Sequence, residues 1–185
     1  PLGCAGGLAF ALLSRSPNLL LRWPMAIMVD VFRALPPLVV LIFVYSGLPF
    51  ACVRLSPLAA VCIAFFFNTS SYYGEILRAG LDSIGTGQRD AAMALGLRRW
   101  QSMALVILPQ AVRNVLPDLL SNTIEVVKLT SLASVVAFQE ILYSAEMARS
   151  ITFNASPLVL AGFIYLVLLW PFVRLLSRFE RRIAA

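Results

Sequence analysis

The stretch Asp90-Ala91-Ala92-Met93-Ala94-Leu95-Gly96, with Ile107-Leu108-Pro109 after it, lies in a polar, arginine-rich segment between apolar segments long enough to cross a bilayer. This polar segment covers residues 78–108. A membrane protein that keeps such a compact segment outside the bilayer is expected to use it to contact a soluble partner. The stretch therefore indicates transport driven by another protein, rather than chemistry carried out by this chain.

The composition places the chain among integral membrane proteins. It has 185 residues, of which 60% are hydrophobic and 13% charged, with a mean hydropathy of +0.86. The absence of histidine, and three cysteines without ligand-like spacing, exclude a Cys/His metal site and histidine-based acid–base catalysis. The net charge of +6 is better explained by membrane topology than by nucleic-acid binding.

The apolar segments predict a single all-α transmembrane domain over residues 1–185, with about five crossings at roughly 20 residues each. The expected crossings are residues 1–13, 24–48, 58–77, 109–127 and 158–173. The first is too short to span and is interpreted as the end of a longer helix that begins before Pro1. The second is expected to start crossing near Pro36-Pro37. Residues 128–156 are mixed, and either re-enter the membrane or lie flat on its outer face.

The basic residues predict the orientation. With the polar segment and the C-terminus in the cytoplasm, only Arg54, Lys128 and Arg149 of the fifteen basic residues fall outside. Twelve against three is a strong positive-inside signal. We therefore expect a multi-pass membrane protein, with the N-terminus outside and the C-terminus in the cytoplasm.

The polar segment is predicted to form two short helices. Thr86 is expected to cap a helix from about Gln88 to Leu95, with Asp90 in its first turn complementing the helix dipole. Gly96 is placed to end this helix in the left-handed conformation.

The faces of these helices suit a partner's groove. Ala91, Ala92 and Leu95 are predicted to share one face of the first helix, where small side chains allow close approach. One side of the second helix is predicted to carry Trp100, Met103 and Ile107. Arg89, Arg98 and Arg99 can pair with acidic groups of the partner or with lipid headgroups. The same residues also suit an interfacial helix that rests on lipid, with Trp100 as its anchor.

Polar residues at membrane depth are costly and mark a candidate substrate pathway. On the third and fourth crossings they are Asn68, Ser71, Tyr72, Glu75, Asn122, Glu125, Lys128, Thr130 and Ser131. Glu125 with Lys128 or Arg149 offers the acceptor and the donor that a zwitterion needs, and a helix break at Thr130 and Ser131 would free backbone groups for a cavity. Alternatively, Glu75 simply pairs with Arg78, and Glu125 and Lys128 lie among the outer headgroups.

Several motifs, in a fixed order, resemble those of permease subunits of binding-protein-dependent ABC importers, most closely the polar amino acid family. The main match runs through Glu75-Ile76-Leu77-Arg78-Ala79-Gly80, Ile84, Gly87-Gln88, Asp90-Ala91-Ala92, Leu95-Gly96 and Ile107-Leu108-Pro109-Gln110-Ala111. Three further elements match: Phe32-Arg33-Ala34-Leu35-Pro36, Lys128-Leu129-Thr130-Ser131-Leu132 and Phe179-Glu180-Arg181-Arg182. In the family pattern, Asp90 is usually Glu, Leu129 is usually Asp, and Ala34-Leu35 is usually Gly-Thr.

The resemblance implies a type I ABC importer permease fold and a division of labour. Residues 79–108 would be a cytoplasmic coupling-helix loop, and Gln88, Asp90, Ala91, Ala92, Leu95, Gly96 and Pro109 would dock an ATPase subunit. A second permease subunit, identical or paralogous, and a periplasmic or lipid-anchored amino-acid-binding protein would complete the complex in the lipid bilayer.

The resulting functional prediction is the transmembrane subunit of an ATP-driven importer for a polar amino acid or similar small zwitterion. It is coupled to a separate ATPase through the Asp90–Pro109 loop. The chain itself has no phosphate-binding Gly-x-x-x-x-Gly-Lys-Ser/Thr motif, so ATP and Mg²⁺ would be used by the partner, and this chain would bind no cofactor or metal and catalyse no reaction. The alternatives are an ATP-independent channel or facilitator for small solutes and, with less in its favour, a membrane-embedded enzyme.

Overall fold

The computed structural model describes residues 2–14 and 18–183, with side chains as far as residue 178. Within these ranges the regular structure is helical throughout, which confirms the all-α prediction. The α-helices are α1 Leu2–Leu13, α2 Leu19–Ala34, α3 Pro37–Ile42, α4 Pro57–Ser83, α5 Thr86–Ala94, α6 Arg99–Gln101, α7 Leu108–Leu129, α8 Ile141–Thr152 and α9 Ser156–Ile183. Arg15, one of the twelve basic residues predicted on the inner side, lies outside the described residues, as do the side chains of the predicted motif Phe179-Glu180-Arg181-Arg182.

Helix α4 is the centre of the fold, with α1, α2, α3 and α7 packed around it. One buried cluster joins α3 to the first half of α4 and to the segment that follows α7. Its members are Val40, Leu41, Val61, Ala64, Phe65, Ala133 and Val136. The polar second half of α4 is covered as well, since Asn68, Ser70 and Ser71 are at most 1% exposed. A helix surrounded by other helices does not need an apolar surface at every position.

Small residues bring α1 unusually close to α4. A Cβ atom added to Gly7 would lie 2.5 Å from Tyr73 Cβ and 2.8 Å from the Gly74 backbone nitrogen. A Cβ atom added to Gly3 would lie 2.3 Å from the Thr69 hydroxyl oxygen, and one added to Gly6 would lie 2.3 Å from the Ser70 hydroxyl oxygen. In membranes, helices associate mainly through van der Waals packing, which small residues permit at short range. Leu2–Leu13, within the segment predicted as the end of a helix, thus forms a short helix fixed against the centre of the fold.

The chain turns sharply between α2 and α3, by 107°. Pro36 lacks an N–H and disfavours the helical conformation of the residue before it, and Leu35 is extended (φ −88°, ψ 134°). The Asn68 side-chain amide donates to the Phe32 carbonyl at 3.1 Å, so α4 fixes the end of α2. The change of direction near Pro36-Pro37 was expected from the sequence. The predicted start at Pro24 was wrong, because α2 begins at Leu19 after the Asn18 cap and Pro24 is tolerated inside it.

The predicted helix start at Pro109 is confirmed to within one residue, since α7 begins at Leu108, but no break in helical structure precedes it. A continuous helical path runs from Arg99 to Val136, over 38 residues, and Pro109 lies in the first turn of α7. The preceding turns, Ser102–Ile107, are widened into π-helical geometry, which accommodates a residue without an N–H. Similarly, α4 continues to Ser83, so residues 79–83 of the predicted loop belong to its last turns.

Residues 128–156 contain a tightened helical segment and a separate helix. Thr130–Val136 is 3₁₀-helical and ends at Ala137 in the left-handed conformation (φ 57°). Helix α8 has 12 residues and packs on α9, and its cap Glu140 accepts a hydrogen bond from Tyr165 of α9 at 3.0 Å. Twelve residues are too few to span a membrane.

Among the described residues, two helical segments are long and apolar enough to cross a membrane, namely Arg99–Val136 and Ser156–Arg178. A third is obtained if the bent α2–α3 pair forms one span. The other two predicted crossings do not meet these criteria for different reasons. Helix α1 has only 12 residues, whereas α4 has 27 residues but a polar second half that neighbouring helices cover.

Candidate functional site

Two regions carry the predicted functional residues, and the first is the two-helix module formed by residues 84–107. It rests on a buried cluster of Leu81, Ile84, Ile107 and Ala111. Beside this cluster, α4 and α7 approach closely, because a Cβ atom on Gly80 would lie 2.8 Å from the Ala111 carbonyl oxygen. The Asn114 side-chain amide also donates to Ser83 Oγ at 2.9 Å. The module is therefore fixed to the ends of two long helices rather than hanging from a loop.

The first module helix begins two residues earlier than predicted. Gly85 is the cap, and Thr86 is already helical and makes no side-chain capping bond, so the predicted Thr86 cap is wrong. As a consequence, Asp90 lies beyond the first turn and cannot complement the helix dipole there. Gly96 behaves as predicted: it is left-handed (φ 77°), and its N–H donates to the Met93 carbonyl at 2.9 Å. The Leu97 N–H then donates to the Ala92 carbonyl, completing the helix end.

The outward face of α5 differs from the predicted one. Ala92 is only 2% exposed and packs inside the module, whereas Ala91 is exposed and Leu95 is 81% exposed. Successive helical residues are about 100° apart, so Ala91 and Leu95 share a face that excludes Ala92. Met93, which the sequence did not suggest, is 52% exposed.

The remaining docking candidates are accessible. Gln88, Asp90, Gly96 and Pro109 are all exposed, and the Gln110 amide reaches Gln88 Oε1 at 3.4 Å. On the second helix, Trp100 is 64% exposed while Ile107 is buried and Met103 is half-buried. The predicted common side for these three is thus split, because the widened turns at Ser102–Ile107 change the helical spacing.

The second region is a cleft of about 210 Å³ between α3, α4 and α7. Four of the nine predicted pathway residues line it, namely Asn68, Tyr72, Asn122 and Glu125. It is completed by Pro37, Thr69, Val126 and Leu129. At about 30 Å³ for each water molecule, the volume corresponds to about seven waters or one small solute.

The cleft presents a donor and an acceptor. The Asn122 Nδ2 atom is buried and has no hydrogen-bond partner among the described residues. One turn further along α7, the carboxylate of Glu125 forms an ion pair with Lys128. A buried donor without an acceptor is costly, which favours a ligand or water at this position. Tyr73 Oη and Thr123 Oγ1, 2.7 Å apart, link α4 to α7 behind the cleft.

Two predicted pathway residues of α4 lie elsewhere. Ser71 is fully buried and donates to the Phe67 carbonyl of its own helix at 2.8 Å. Glu75 accepts from Arg78 Nε at 2.9 Å and lies 3.6 Å from Arg33, so the simpler interpretation, pairing with Arg78, is the correct one. Arg33 also stacks over the Tyr72 ring, at 5.9 Å from its centroid, and thereby joins the end of α2 to α4.

The predicted helix break at Thr130 and Ser131 is wrong. Both hydroxyls donate back to carbonyls of the preceding turn, Thr130 to Val127 at 2.6 Å and Ser131 to Lys128 at 2.8 Å. The tightened helix therefore uses these two hydroxyls within its own turns, and neither residue lines the cleft. Ser131 and Lys128 line a different, largely apolar groove along α9. Arg149 lies in a third cleft with Glu146 and Phe153, away from Glu125.

Comparisons with known proteins agree on one family. The family described as "Binding-protein-dependent transport system inner membrane component" matches residues 3–185. The probable amino-acid ABC transporter permease protein YckA of Bacillus subtilis is 35% identical over 88% of this chain and 73% of its own length. The glutamate/aspartate import permease protein GltK of Escherichia coli O157:H7 is 35% identical over 99% of this chain and 86% of its own. The glutamine transport system permease protein GlnP of Escherichia coli K12 is 34% identical over 98% and 86%.

Solved structures show the same fold. A chain from the crystal structure of an amino acid ABC transporter with histidines superposes with a TM-score of 0.89 at 34% identity, covering 98% of this chain and 85% of that one. A chain of the MetNI methionine ABC transporter in an inward-facing conformation gives 0.78 at 17% identity, covering 98% and 88%. The second similarity supports the fold alone.

Proposed function

Because the chain belongs to the family of binding-protein-dependent transport system inner membrane components, we propose that it forms the membrane pathway for a polar amino acid in an ATP-driven importer. Members of this family are transport components of ABC importers and not enzymes. The two relatives that align with nearly the whole chain are named as permeases, one for glutamate and aspartate and the other for glutamine. Their names support a small zwitterionic substrate for this chain.

The single observation that carries the substrate proposal is the unpaired Asn122 Nδ2 donor in the 210 Å³ cleft. A zwitterionic amino acid supplies a carboxylate to accept from Asn122 and an ammonium group to donate to Glu125. Burial strengthens the contact with Asn122, since the local dielectric constant is lower than in water, whereas the Glu125 side chain is 61% exposed and shares its charge with Lys128. Binding of this kind must remain weak enough for release on the other side, and two polar contacts in a small cleft meet that need.

The module of residues 84–107 is proposed to dock a cytoplasmic ATPase subunit. Its outward face combines the small Ala91 with the exposed apolar side chain of Leu95, and Met93 is exposed on another side of the same helix. An exposed apolar patch on a helix that is otherwise well packed underneath is typical of an interaction surface. ATP and Mg²⁺ would be bound by that partner. A second permease subunit and an extracytoplasmic binding protein complete the proposed assembly. This chain is proposed to lie in the inner membrane, with its N-terminus outside and its C-terminus in the cytoplasm.

The proposal is tested by reconstituting the complete importer in liposomes and measuring ATP-dependent amino acid uptake. Replacing Asn122 with Ala removes the only donor that the cleft leaves unpaired among the described residues, and we expect roughly tenfold slower uptake, corresponding to about 1.4 kcal/mol. Thr130→Ala is the matched control, because Thr130 lies on the same helical path but does not line the cleft, and its hydroxyl already donates to the Val127 carbonyl.

Unchanged uptake by the Asn122 variant, with normal ATPase assembly, would remove this cleft from the transport pathway. The alternative function, an ATP-independent channel or facilitator, finds no support in the family match. It would require uptake by this chain alone, without the ATPase and without ATP.

A further inference from the structure

A further cleft, larger than the one that holds Asn122, lies where the module meets the helices beneath it. It is lined by arginines from four elements. Arg22 of α2, Arg78 of α4, Arg89 of α5 and Arg99 of α6 surround about 830 Å³ of open space. Asp82 is the one acidic residue of the lining, which Ser14 and Met103 complete. Four positive charges against one negative charge make this a site for an anion.

Only one of the four arginines is neutralised by the part of the chain that the structure describes. Arg78 pairs with Asp82 at 3.1 Å and with Glu75, which does not line the cleft. Within the described residues, Arg22, Arg89 and Arg99 form no ion pair. Moreover, Arg89 Nε is buried and has no hydrogen-bond acceptor there. Leaving a charged donor without an acceptor is costly, and an anion in the cleft would relieve that cost.

The surroundings indicate an anion that comes from the membrane. Leu20 and Trp23, on either side of Arg22, are 83% and 61% exposed, and Trp100, next to Arg99, is 64% exposed. Tryptophan side chains are enriched at the level of lipid headgroups. Basic pockets between transmembrane helices at this depth are known to hold anionic headgroups. None of these three side chains lines the cleft, but they place exposed apolar groups close to its positive charge, as expected at the surface of a membrane.

We propose that this arginine cleft binds the phosphate of an anionic phospholipid headgroup. The bound lipid joins α2 and α4 to the two module helices, which hold Arg89 and Arg99, and so couples the position of the module to the composition of the surrounding leaflet. Only this last step rests on the proposed ATPase docking. Binding itself requires the cleft and a membrane, whatever the chain transports.

The test measures lipid retention on the purified complete importer in nanodiscs of phosphatidylcholine with increasing phosphatidylglycerol, read by native mass spectrometry. Each of Arg22→Gln, Arg89→Gln and Arg99→Gln is expected to weaken phosphatidylglycerol retention about fivefold, as each removes one charge at the surface. Arg98→Gln is the matched control: Arg98 is exposed on the same module but does not line the cleft. Arg89→Lys is expected to keep most of the retention.

A second measurement on the same samples distinguishes the sources of the anion. Inorganic phosphate at millimolar concentration should not displace phosphatidylglycerol, and displacement would show that the cleft serves a free phosphate instead. Equal lipid retention in wild type and all three glutamine variants would overturn the proposal. If the variants lost the ATPase subunit while retaining the lipid, the arginines would be contacts to acidic groups of that protein. These results do not depend on amino acid uptake, so they are separable from failure of the proposed function.

Discussion

Two neighbouring alanines of α5 illustrate how much one helical step changes a side chain's surroundings. Ala91 is exposed on the outward face with Leu95, whereas Ala92 is 2% exposed and packs inside the module. The rotation of about 100° between them separates the two roles. A substitution at Ala92 that disturbs the complex therefore acts through the fold of the module, and a substitution at Ala91 acts at its surface.

This difference predicts opposite outcomes for the same replacement. Ala91→Arg should abolish assembly with the ATPase subunit and leave the thermal stability of the isolated permease within about 0.5 kcal/mol of wild type. Ala92→Arg should destabilise the permease itself by on the order of 3 kcal/mol, because it introduces an unpaired charge among packed side chains.

Co-purification of the ATPase subunit and thermal unfolding of the permease in detergent measure the two effects separately. Normal ATPase binding by the Ala91 variant would contradict the docking face. Normal stability of the Ala92 variant would contradict its buried position.

At the scale of helices, the contact between α1 and α4 depends on glycine rather than on apolar bulk. Gly3, Gly6 and Gly7 follow one side of α1, where they face Ser70, Tyr73 and Gly74 of α4. Such a contact lets a 12-residue helix lie directly against the backbone of the central helix, with the larger side chains supplied by α4 alone at this point. It also leaves no room for even one added methyl group.

Gly7→Ala and Gly162→Ala are therefore expected to have opposite effects. Alanine at position 7 would place its Cβ 2.8 Å from the Gly74 backbone nitrogen, forcing the helices apart at a cost of about 1–3 kcal/mol. A Cβ atom at Gly162 of α9 meets nothing within 4 Å, so the higher helix propensity of alanine should leave stability unchanged or raise it by up to about 1 kcal/mol. Thermal unfolding of both variants in the same detergent checks this, and a stable Gly7 variant would show that α1 is not held as described.

At the scale of the whole molecule, the native cysteines provide probes of the proposed orientation. Cys52 is exposed in the turn between α3 and α4, where it adopts the left-handed conformation (φ 61°). With the module in the cytoplasm, this turn faces the opposite side of the membrane.

A membrane-impermeant maleimide should therefore label Cys52 in right-side-out vesicles, and Cys52→Ser should abolish that signal while Cys4→Ser and Cys62→Ser retain it. In a background without native cysteines, Ala94→Cys at the exposed end of α5 is the counterpart and should be labelled only after permeabilisation. Labelling of Ala94→Cys in sealed vesicles would reverse the proposed orientation.

The sequence predicted the helical class, the bend at Pro36-Pro37 and the glycine that ends α5, because each depends on local conformation or on composition. It could not predict which face of α5 is buried, since that depends on how the widened turns Ser102–Ile107 pack against it. Hydroxyl groups at membrane depth suggested a pathway at Ser71, Thr130 and Ser131, but all three bond to their own helix. The cleft residues Thr69, Val126 and Leu129 gave no distinctive signal, because their part in the site comes only from the packing of three helices.

The tight packing of α4 on α7 has a mechanical consequence. Ala111, whose carbonyl faces Gly80, lies eleven positions from Trp100 of the module and eleven from Asn122 of the cleft. On a helical path each of these distances is about 16 Å. The two helices are also joined by Asn114 with Ser83 and by Tyr73 with Thr123. We therefore expect α4 and α7 to move as one stiff body, so that a displacement of the module carries the Asn122 amide with it.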